Sequence, residues 1–149
     1  MGNGHCQCKS GNVVVSYSEQ TLDDWLYELG LRAIYEPEIP ITSSTGYLLP
    51  DWLLLPQQGI TKPVIIEYWG LLRENDRAAW VTERLPQYIA KKKFKESIYQ
   101  ELQDYHYLGI LPENLDIDWL VSTLQEIGWN GETILPETSH SFQVYQKQT

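Results

Sequence analysis

The sequence predicts an α/β domain with a mixed sheet, in the order αβββαβ followed by one further helix. Three observations predict it: an amphipathic segment near the start, three extended apolar segments in succession, and a second amphipathic segment followed by a fourth extended one. Because three strands follow one another without a helix between them, a mixed sheet with helices packed on its faces is favoured.

The first helix is predicted over residues 17–29. Its apolar residues fall at i, i+3, i+4 and i+7, the spacing of one buried face: Leu22, Trp25, Leu26 and Leu29. Ser16 and Glu19 have the spacing of a capping box. Gly30 is a natural residue for the helix to end on.

Three extended segments follow this helix. Residues 31–41 contain two prolines, which suit an edge strand better than a central one. Residues 47–55 are interrupted by a proline and then run apolar. Residues 64–69 are β-branched and aromatic, which is typical of a strand buried on both faces. The turn residues at 57–59 predict that the last two segments pair as a hairpin.

A second helix is predicted to begin near Pro86, which fits a first helical turn, and to end near residue 104. Four of its residues lie at i, i+3, i+7 and i+11 and form one narrow stripe: Tyr88, Lys91, Lys95 and Tyr99. Ile98 and Leu102 lie beside the stripe, so its edge is expected to face the sheet.

The remaining elements complete the predicted organisation. Residues 106–111 predict a fourth strand, and residues 115–127 predict a last helix with three residues inward and Gly128 as its stop: Leu120, Leu124 and Ile127. We expect residues 1–12 to be a flexible tail and residues 13–149 to form a single domain. Its core spans about 14–111, and an acidic extension spans 112–149.

Composition and charge restrict the function classes. The chain has the length of one ordinary domain and no apolar run approaching the roughly 18 residues of a membrane helix, so a soluble cytoplasmic protein is expected. A net charge of −9 argues against nucleic-acid binding, which requires a local excess of Lys and Arg. The charge is uneven, however: residues 1–95 hold 11 acidic and 10 basic residues, whereas residues 96–149 hold 9 and 1. Any basic surface must involve five clustered bases: Arg84, Lys91, Lys92, Lys93 and Lys95.

Both cysteines lie close to the N-terminus. Together with His5, Cys6 and Cys8 form at most half of a zinc site, because a closed site requires four ligands. The other histidines, His106 and His140, are isolated in sequence. Zinc is therefore not expected, and reduced thiols in a tail are the preferred interpretation.

Three acidic residues interrupt apolar patterns and are candidate site residues. Glu67 lies in the most buried predicted strand, where an ionised carboxylate is costly unless it is paired or bound to a metal. Asp51 lies at the end of the adjacent strand, so the hairpin would bring it towards Glu67. Glu19 shares a face of the first helix with Leu22 and Leu26.

Each of these acids also has a purely structural explanation. Glu19 completes the capping box. Asp51 follows a proline and could form an Asx-turn. Glu67 could form a structural salt bridge with a lysine of the second helix, whose lysine run could simply be a solvated face.

As an ordered set, these segments resemble the PD-(D/E)XK nuclease superfamily, which has the restriction-endonuclease-like fold. The resemblance covers about residues 14–111, and the predicted αβββαβ order agrees with that family's core. It rests on Glu19, on Pro50-Asp51-Trp52 and on Ile65-Ile66-Glu67-Tyr68-Trp69-Gly70.

The sequence departs from the family pattern at one position. The family's strand motif is an acid, any residue and then lysine, but position 69 is Trp69. Some branches of the family resemble this chain in carrying Glu-x-aromatic-Gly on the strand, with the lysine moved onto the next helix in a Tyr-x-x-Lys/Arg-x-x-x-Lys-x-x-x-Tyr pattern. By this resemblance Lys95 is the catalytic lysine and Lys91 is the second choice.

The resemblance implies a hydrolase of phosphodiester bonds that depends on Mg²⁺, with Mn²⁺ able to substitute. Asp51, Glu67 and the backbone carbonyl of Tyr68 would hold the metal. Lys95 would orient the attacking water and stabilise the developing negative charge. Glu19 would bind a second metal or a metal-bound water.

The resemblance also implies that the protein is an endonuclease, that its partner is DNA and that it acts as a homodimer. The expected contacts with nucleic acid come from the second helix and the residues just before it: Arg84, Tyr88, Lys91, Lys92, Lys95 and Tyr99.

Two rival functions remain open from the sequence. A catalytically inactive relative, kept as a binding or assembly module, would also fit the net charge and the missing strand lysine. An acidic protein-interaction domain that uses the last third of the chain is the other, although mimicry of nucleic acid needs exposed carboxylates and the predicted setting of Glu67 is buried.

Overall fold

The computed structural model describes residues 6–40, 46–70 and 79–131, and for residues 79–84 it describes the backbone only. It is a mixed α+β structure. The described residues divide into two compact units. The first unit comprises residues up to 33, residues 56–61 and residues from 114 onward; the second comprises residues 34–55 and 62–113. Within the described residues, every helix is too short or too polar to cross a membrane.

The order of elements agrees with the sequence prediction over the central part of the chain. In chain order the elements are β1 (Cys6–Gln7), β2 (Val13–Val14), α1 (Tyr17–Glu28), β3 (Ala33–Tyr35), β4 (Ile39–Pro40), β5 (Tyr47–Leu48), β6 (Trp52–Leu54), β7 (Val64–Tyr68), α2 (Ala79–Glu101), β8 (His106–Ile110) and α3 (Ile117–Glu126).

The N-terminal segment differs from the predicted flexible tail. From Cys6 onward it forms an antiparallel pair of β1 with β2, and both cysteines are buried. The turn between the strands is fixed to α1 by a carboxylate that is itself buried. Asp23 Oδ1 accepts a hydrogen bond from Ser10 Oγ at 2.5 Å, and Asp23 Oδ2 accepts one from Asn12 Nδ2 at 2.9 Å. A short polar segment was therefore misread as a tail because its partners lie 11–13 residues later in the chain.

Helix α1 has the predicted buried face and both predicted ends. The four apolar residues of that face are buried: Leu22, Trp25, Leu26 and Leu29. Ser16 Oγ accepts a hydrogen bond from the Glu19 amide, which caps the first turn. Gly30 has a φ of +75°, and the amides of Gly30 and Leu31 donate to the carbonyls of Tyr27 and Leu26. This is the Schellman arrangement, which favours glycine because of the left-handed backbone.

The four-stranded sheet has the order β3-β6-β7-β8 and is mixed. The predicted hairpin is confirmed, since β6 runs antiparallel to β7 with Trp52 opposite Ile66. β7 and β8 are parallel, with Glu67 opposite Gly109. Every residue of β7 is buried, as the sequence predicted.

Each of the first two predicted strands is divided into two shorter ones. β4 and β5 leave the main sheet and pair with each other. The interruption before β4 coincides with Glu36, whose φ is +51°, and with the proline that follows it. The interruption between β5 and β6 coincides with Pro50, which cannot donate to a ladder hydrogen bond.

Helix α2 begins earlier than predicted. It includes residues 79–85, so Pro86 lies in the helix interior instead of its first turn. The proline lacks an amide proton for the carbonyl four residues earlier, a defect that a helix of 23 residues tolerates here. Further along α2, Tyr99 packs against Ile65 of β7 in a buried cluster completed by Ile39 and Leu48.

Helix α3 belongs to the first unit and has a strongly apolar face. Asp116 caps it by accepting hydrogen bonds from the amides of residues 118 and 119. The predicted inward residues Leu120 and Leu124 are buried, whereas Ile127 is half-buried at the C-terminal cap. The helix ends at Gly128, whose φ is +114°. The acidic extension beyond residue 131 lies outside the described residues.

The carboxylate of Asp23 is expected to stabilise the N-terminal turn. In Asp23→Ala, Ser10 Oγ and Asn12 Nδ2 lose a buried acceptor, and the free energy of unfolding should fall by about 1–3 kcal/mol. Urea denaturation measures this change. The exposed Glu126→Ala serves as control and should stay within about 0.5 kcal/mol of the parent. Equal stability of the two variants would contradict the anchoring role.

Candidate functional site

The second unit brings Asp51 and Glu67 to the same end and the same face of the sheet. Leu53 of β6 is opposite Ile65 of β7, and both pack against the cluster that contains Tyr99. Asp51 precedes Leu53 by two residues and Glu67 follows Ile65 by two, so alternation in this antiparallel pair places both side chains on that same face. Asp51 Oδ2 also accepts a hydrogen bond from the amide of Tyr68 at 2.7 Å. Two carboxylates are thus adjacent at one end of the central strand pair β6–β7.

Glu67 is a buried carboxylate with two donors from α2. Only 3% of its surface is exposed. Lys95 Nζ lies 2.5 Å from Glu67 Oε2, and Tyr99 OH donates to the same oxygen at 2.6 Å. Lys95 and Tyr99 are four residues apart and therefore occupy one face of the helix. Their two contacts provide the charge and the hydrogen bonding that a desolvated carboxylate requires.

Lys95 is itself held on several sides. It is 9% exposed, and Nζ makes a longer hydrogen bond of 3.4 Å with the carbonyl of Leu49. The ammonium also lies 5.8 Å from the ring centroid of Trp69 and 6.0 Å from that of Tyr99. These are cation–π distances. The ammonium is consequently fixed beside the two carboxylates.

Trp69 stands at the centre of a second set of contacts. Its Nε1 donates to Tyr107 OH at 2.9 Å, and Tyr107 OH donates to Glu96 Oε2 at 2.5 Å. Lys92 Nζ donates to Glu96 Oε1 at 2.9 Å and lies 5.7 Å from the Trp69 ring. The edge of Tyr88 meets the same indole, with centroids 5.8 Å apart. We call the chain Trp69–Tyr107–Glu96–Lys92 the indole network.

Tyr99, which is buried, and Tyr107, which is half-buried, both remain protonated donors. Burial, and next the hydrogen bond to Glu67, raise the pKa of Tyr99 far above its ordinary value. Burial, and next the hydrogen bond to Glu96, raise the pKa of Tyr107 in the same direction. Each phenol therefore donates to its carboxylate at every pH at which the protein would be assayed.

The structure brings together most of the candidate residues predicted for the second unit. Asp51, Glu67, Lys95 and Tyr99 converge, and the Tyr68 amide joins them. Of the two remaining lysines in the predicted set, Lys92 contacts Trp69, whereas Lys91 is exposed. The predicted stripe is therefore present at Tyr88, Lys95 and Tyr99 but not at Lys91, whose expected place towards the sheet is taken by Lys92. The side chain of Arg84 lies outside the described residues.

Two residues of the indole network were not foreseen from the sequence. Tyr107 lies on β8 opposite Ile65, so its side chain shares the face that meets α2. Glu96 follows Lys92 by four residues, a spacing that suggests a helix-surface ion pair and nothing more. Strand alternation is the one signal that could have placed Tyr107 on the face towards the helix, whereas its bond with Trp69 depends on tertiary structure.

Glu19 lies in the first unit and has a local structural contact. Its Oε1 accepts a hydrogen bond from the amide of Val15 at 3.3 Å, and its amide donates to Ser16 Oγ. These contacts match the capping explanation, with the carboxylate reaching one residue further back than in the usual capping box. Its role at a metal site stays a prediction.

The first unit also contains a group of acids with a thiol. Ligand atoms of Cys8, Asp23 and Asp24 lie within 4.8 Å of one another. The carboxylates are occupied in fixing the N-terminal turn, and Asp24 accepts the amide of Lys9. Burial, and then the charges of both carboxylates, raise the pKa of Cys8 to about 12. Zinc requires a thiolate, so this thiol is poorly prepared to bind it. His5 lies outside the described residues.

The oxygen donors at the end of the β6–β7 pair suit a hard divalent cation. Asp51 and Glu67 offer carboxylate oxygens on one face, and the main chain of Tyr68 lies directly beside them. Oxygen-only donors of this kind fit Mg²⁺ or Mn²⁺ and not zinc. The residues present therefore fit the metal that the resemblance implies.

Comparisons with protein-family models, with curated proteins and with solved structures gave no match to this chain. The functional assignment accordingly depends on the site itself.

The hydroxyl of Tyr99 is expected to stabilise the fold through Glu67. Tyr99→Phe removes one of the two described donors to Oε2 and should lower the free energy of unfolding by about 1–3 kcal/mol. Denaturant unfolding is the measurement. Tyr105→Phe is the matched control, because Tyr105 packs against the same cluster but is only partly buried. If the two variants lost equal stability, the hydroxyl of Tyr99 would have no special role.

Proposed function

We propose that this protein is a Mg²⁺-dependent nuclease of the PD-(D/E)XK type that cuts DNA internally. The observation that carries the proposal is the contact of Lys95 Nζ with Glu67 Oε2 at 2.5 Å, beside Asp51 at the end of the β6–β7 pair. A strand acid, a neighbouring acid and a lysine are the three groups that this hydrolysis needs. Here the lysine comes from α2, as the migrated-lysine branches of the family imply.

A structural salt bridge alone is a weaker explanation of the same contact. Burying an ion pair is costly, and an apolar pair of similar volume often stabilises a fold equally well. Stability therefore does not require Glu67 and Lys95 in a buried position. Stability also does not require a second carboxylate, that of Asp51, to lie beside this pair and accept a hydrogen bond from the Tyr68 amide. The convergence of two carboxylates and an ammonium at the end of the β6–β7 pair favours a functional site.

The chain's own residues have distinct roles in the proposed reaction. Asp51, Glu67 and the carbonyl of Tyr68 would hold Mg²⁺, which when bound polarises the scissile phosphate and lowers the pKa of a bound water. Lys95 presents a cation beside these carboxylates, where it orients the attacking water and stabilises the negative charge that develops on phosphate oxygens. Because Lys95 is 9% exposed and has several contacts, little reorganisation is needed.

The contact with nucleic acid is best assigned to the exposed side of α2. Tyr99 is buried, Lys92 is paired with Glu96, and the nearly buried Lys95 is assigned to the scissile phosphate alone, so contacts with the rest of the DNA backbone must come from other residues. Lys91 and Lys93 are exposed, and Phe94 next to them is 60% exposed. Exposed lysines neutralise phosphates, and an exposed aromatic ring offers a surface on which a base can stack.

A catalytically inactive binding module is the alternative that one observation favours. Glu67, Lys95 and Tyr99 satisfy one another, so the pair would be stable with no metal present. An acidic interaction domain is less well supported, because Glu67 is buried and not displayed.

The test is cleavage of plasmid and single-stranded DNA with Mg²⁺, Mn²⁺ or EDTA. Asp51→Asn and Glu67→Gln should each lower the Mg²⁺-dependent rate by about a thousandfold or more, since metal activation supplies several kcal/mol. Mg²⁺ should also raise the melting temperature of the parent but not of these variants.

The exposed Glu38→Gln is the matched control, with the same chemical change in the same unit and no expected effect. Full activity in either site variant would remove this mechanism. A parent protein that binds DNA without cutting it under any of these conditions would support the inactive module instead.

A further inference from the structure

We propose that Trp69 positions Lys95, and that Tyr107 and Glu96 fix the orientation of Trp69. This inference rests on the proposed nuclease function, because it assigns a role in that same site. It treats the residue that departs from the family pattern as the support for the migrated lysine.

Trp69 lies at the position where the family's strand motif carries lysine. It follows Glu67 by two residues, and its amide donates to the carbonyl of Ile110 at 2.8 Å, so the strand geometry continues through residue 69. Trp69 therefore lies on the same face as Glu67. A lysine at this position would point to the carboxylates from the strand. Instead an indole occupies the place, and Lys95 Nζ lies 5.8 Å from its ring centroid.

The Trp69 indole is surrounded by positive charge. Two ammonium groups share this one ring, since Lys92 Nζ lies 5.7 Å from it. Each has its own carboxylate: Lys95 has Glu67 and Lys92 has Glu96. Separate counter-ions reduce the repulsion between the lysines, while the face of the indole attracts both. The ring thereby separates a candidate catalytic lysine from a structural one.

Hydrogen bonds, and not packing alone, set the plane of the indole. Trp69 Nε1 donates to Tyr107 OH, which donates to Glu96 Oε2. These three residues come from the end of β7, from β8 and from α2. The indole is thus tied to both the neighbouring strand and the helix that carries Lys95. Rotation of the ring would break its hydrogen bond to Tyr107, whose hydroxyl is held in turn by Glu96 of α2.

The indole would matter most when Glu67 binds a metal, because Lys95 then needs other contacts to stay in place. Glu67 Oε2 already accepts from Lys95 and Tyr99, so engaging that carboxylate elsewhere weakens its hold on the ammonium. The Trp69 ring and the Leu49 carbonyl remain as supports for Lys95. Positioning of a reacting group is sensitive, because a displacement of about 1 Å can cost roughly a hundredfold in rate.

Tyr107→Phe is the decisive variant. It removes the hydroxyl that links Trp69 to Glu96 but keeps the ring that packs against Tyr99, with centroids 5.1 Å apart. We expect kcat for Mg²⁺-dependent cleavage to fall roughly ten- to a hundredfold while KM stays within about twofold. Tyr105→Phe, which removes a hydroxyl near the same cluster but outside the indole network, should change neither.

A second readout does not depend on activity. In the metal-free protein the ε-methylene protons of Lys95 should show a ring-current shift from the indole, measured by carbon–proton correlation NMR and assigned with Lys95→Arg. Tyr107→Phe should move this signal towards that of an exposed lysine, and Tyr105→Phe should leave it in place. Glu96→Gln, which keeps the side-chain size, should move it in the same direction if Tyr107→Phe does not fold.

The two readouts separate this inference from the proposed function. If the parent protein cuts no DNA, the nuclease assignment fails, but the NMR shift still decides whether the indole network holds Lys95. Unchanged kcat together with an unchanged Lys95 signal in Tyr107→Phe would overturn the inference. An equal fall in kcat in Tyr105→Phe would also overturn it, because the effect would then be one of general packing.

Discussion

The burial of the Glu67 carboxylate is the constraint on which the second unit depends. A charge that is 3% exposed must be matched, and the match comes from α2 through Lys95 and Tyr99. This requirement sets how α2 is rotated against the sheet, since two residues four apart must both reach one oxygen. It also places Trp69, which lies on the same face as Glu67 and meets Tyr107 of β8 and Lys92 of α2 there. The fold around the site is arranged about one carboxylate.

The same constraint explains which features could be predicted from the sequence. A single acid inside an apolar strand marked Glu67 as a candidate from the residues alone. Lys95 was selected among the helix lysines by the pattern that the family resemblance supplied. The first helix and the β6–β7 hairpin follow from local periodicity and turn residues. By contrast, the link of Tyr107 to Trp69 and Glu96 joins three elements and has no local signal. The N-terminal strand pair was missed for the same reason, and Pro86 misled because its helix is long enough to contain a proline.

The charge of the chain takes on a more specific meaning once the buried groups are separated from the exposed ones. Lys92 and Lys95 belong to internal ion pairs, so the basic surface available to a polyanion is narrower than the run of lysines suggests. Among the described side chains of α2, the exposed bases on its solvent side are Lys91 and Lys93, and the ring of Phe94 is exposed with them. A net charge of −9 is compatible with DNA binding if the strand is confined to this side and repelled elsewhere.

The proposed function gives the Glu67–Lys95 pair a catalytic role in addition to a structural one. The most direct measurement is the single-turnover rate of Mg²⁺-dependent DNA cleavage by Lys95→Met, taken below its melting temperature, with Lys62→Met as a lysine control in the same unit. We expect Lys95→Met to stay folded and still bind DNA but to lose cleavage by about a thousandfold or more, whereas Lys62→Met cuts at the parent rate. Cleavage by Lys95→Met at the parent rate would contradict the catalytic role.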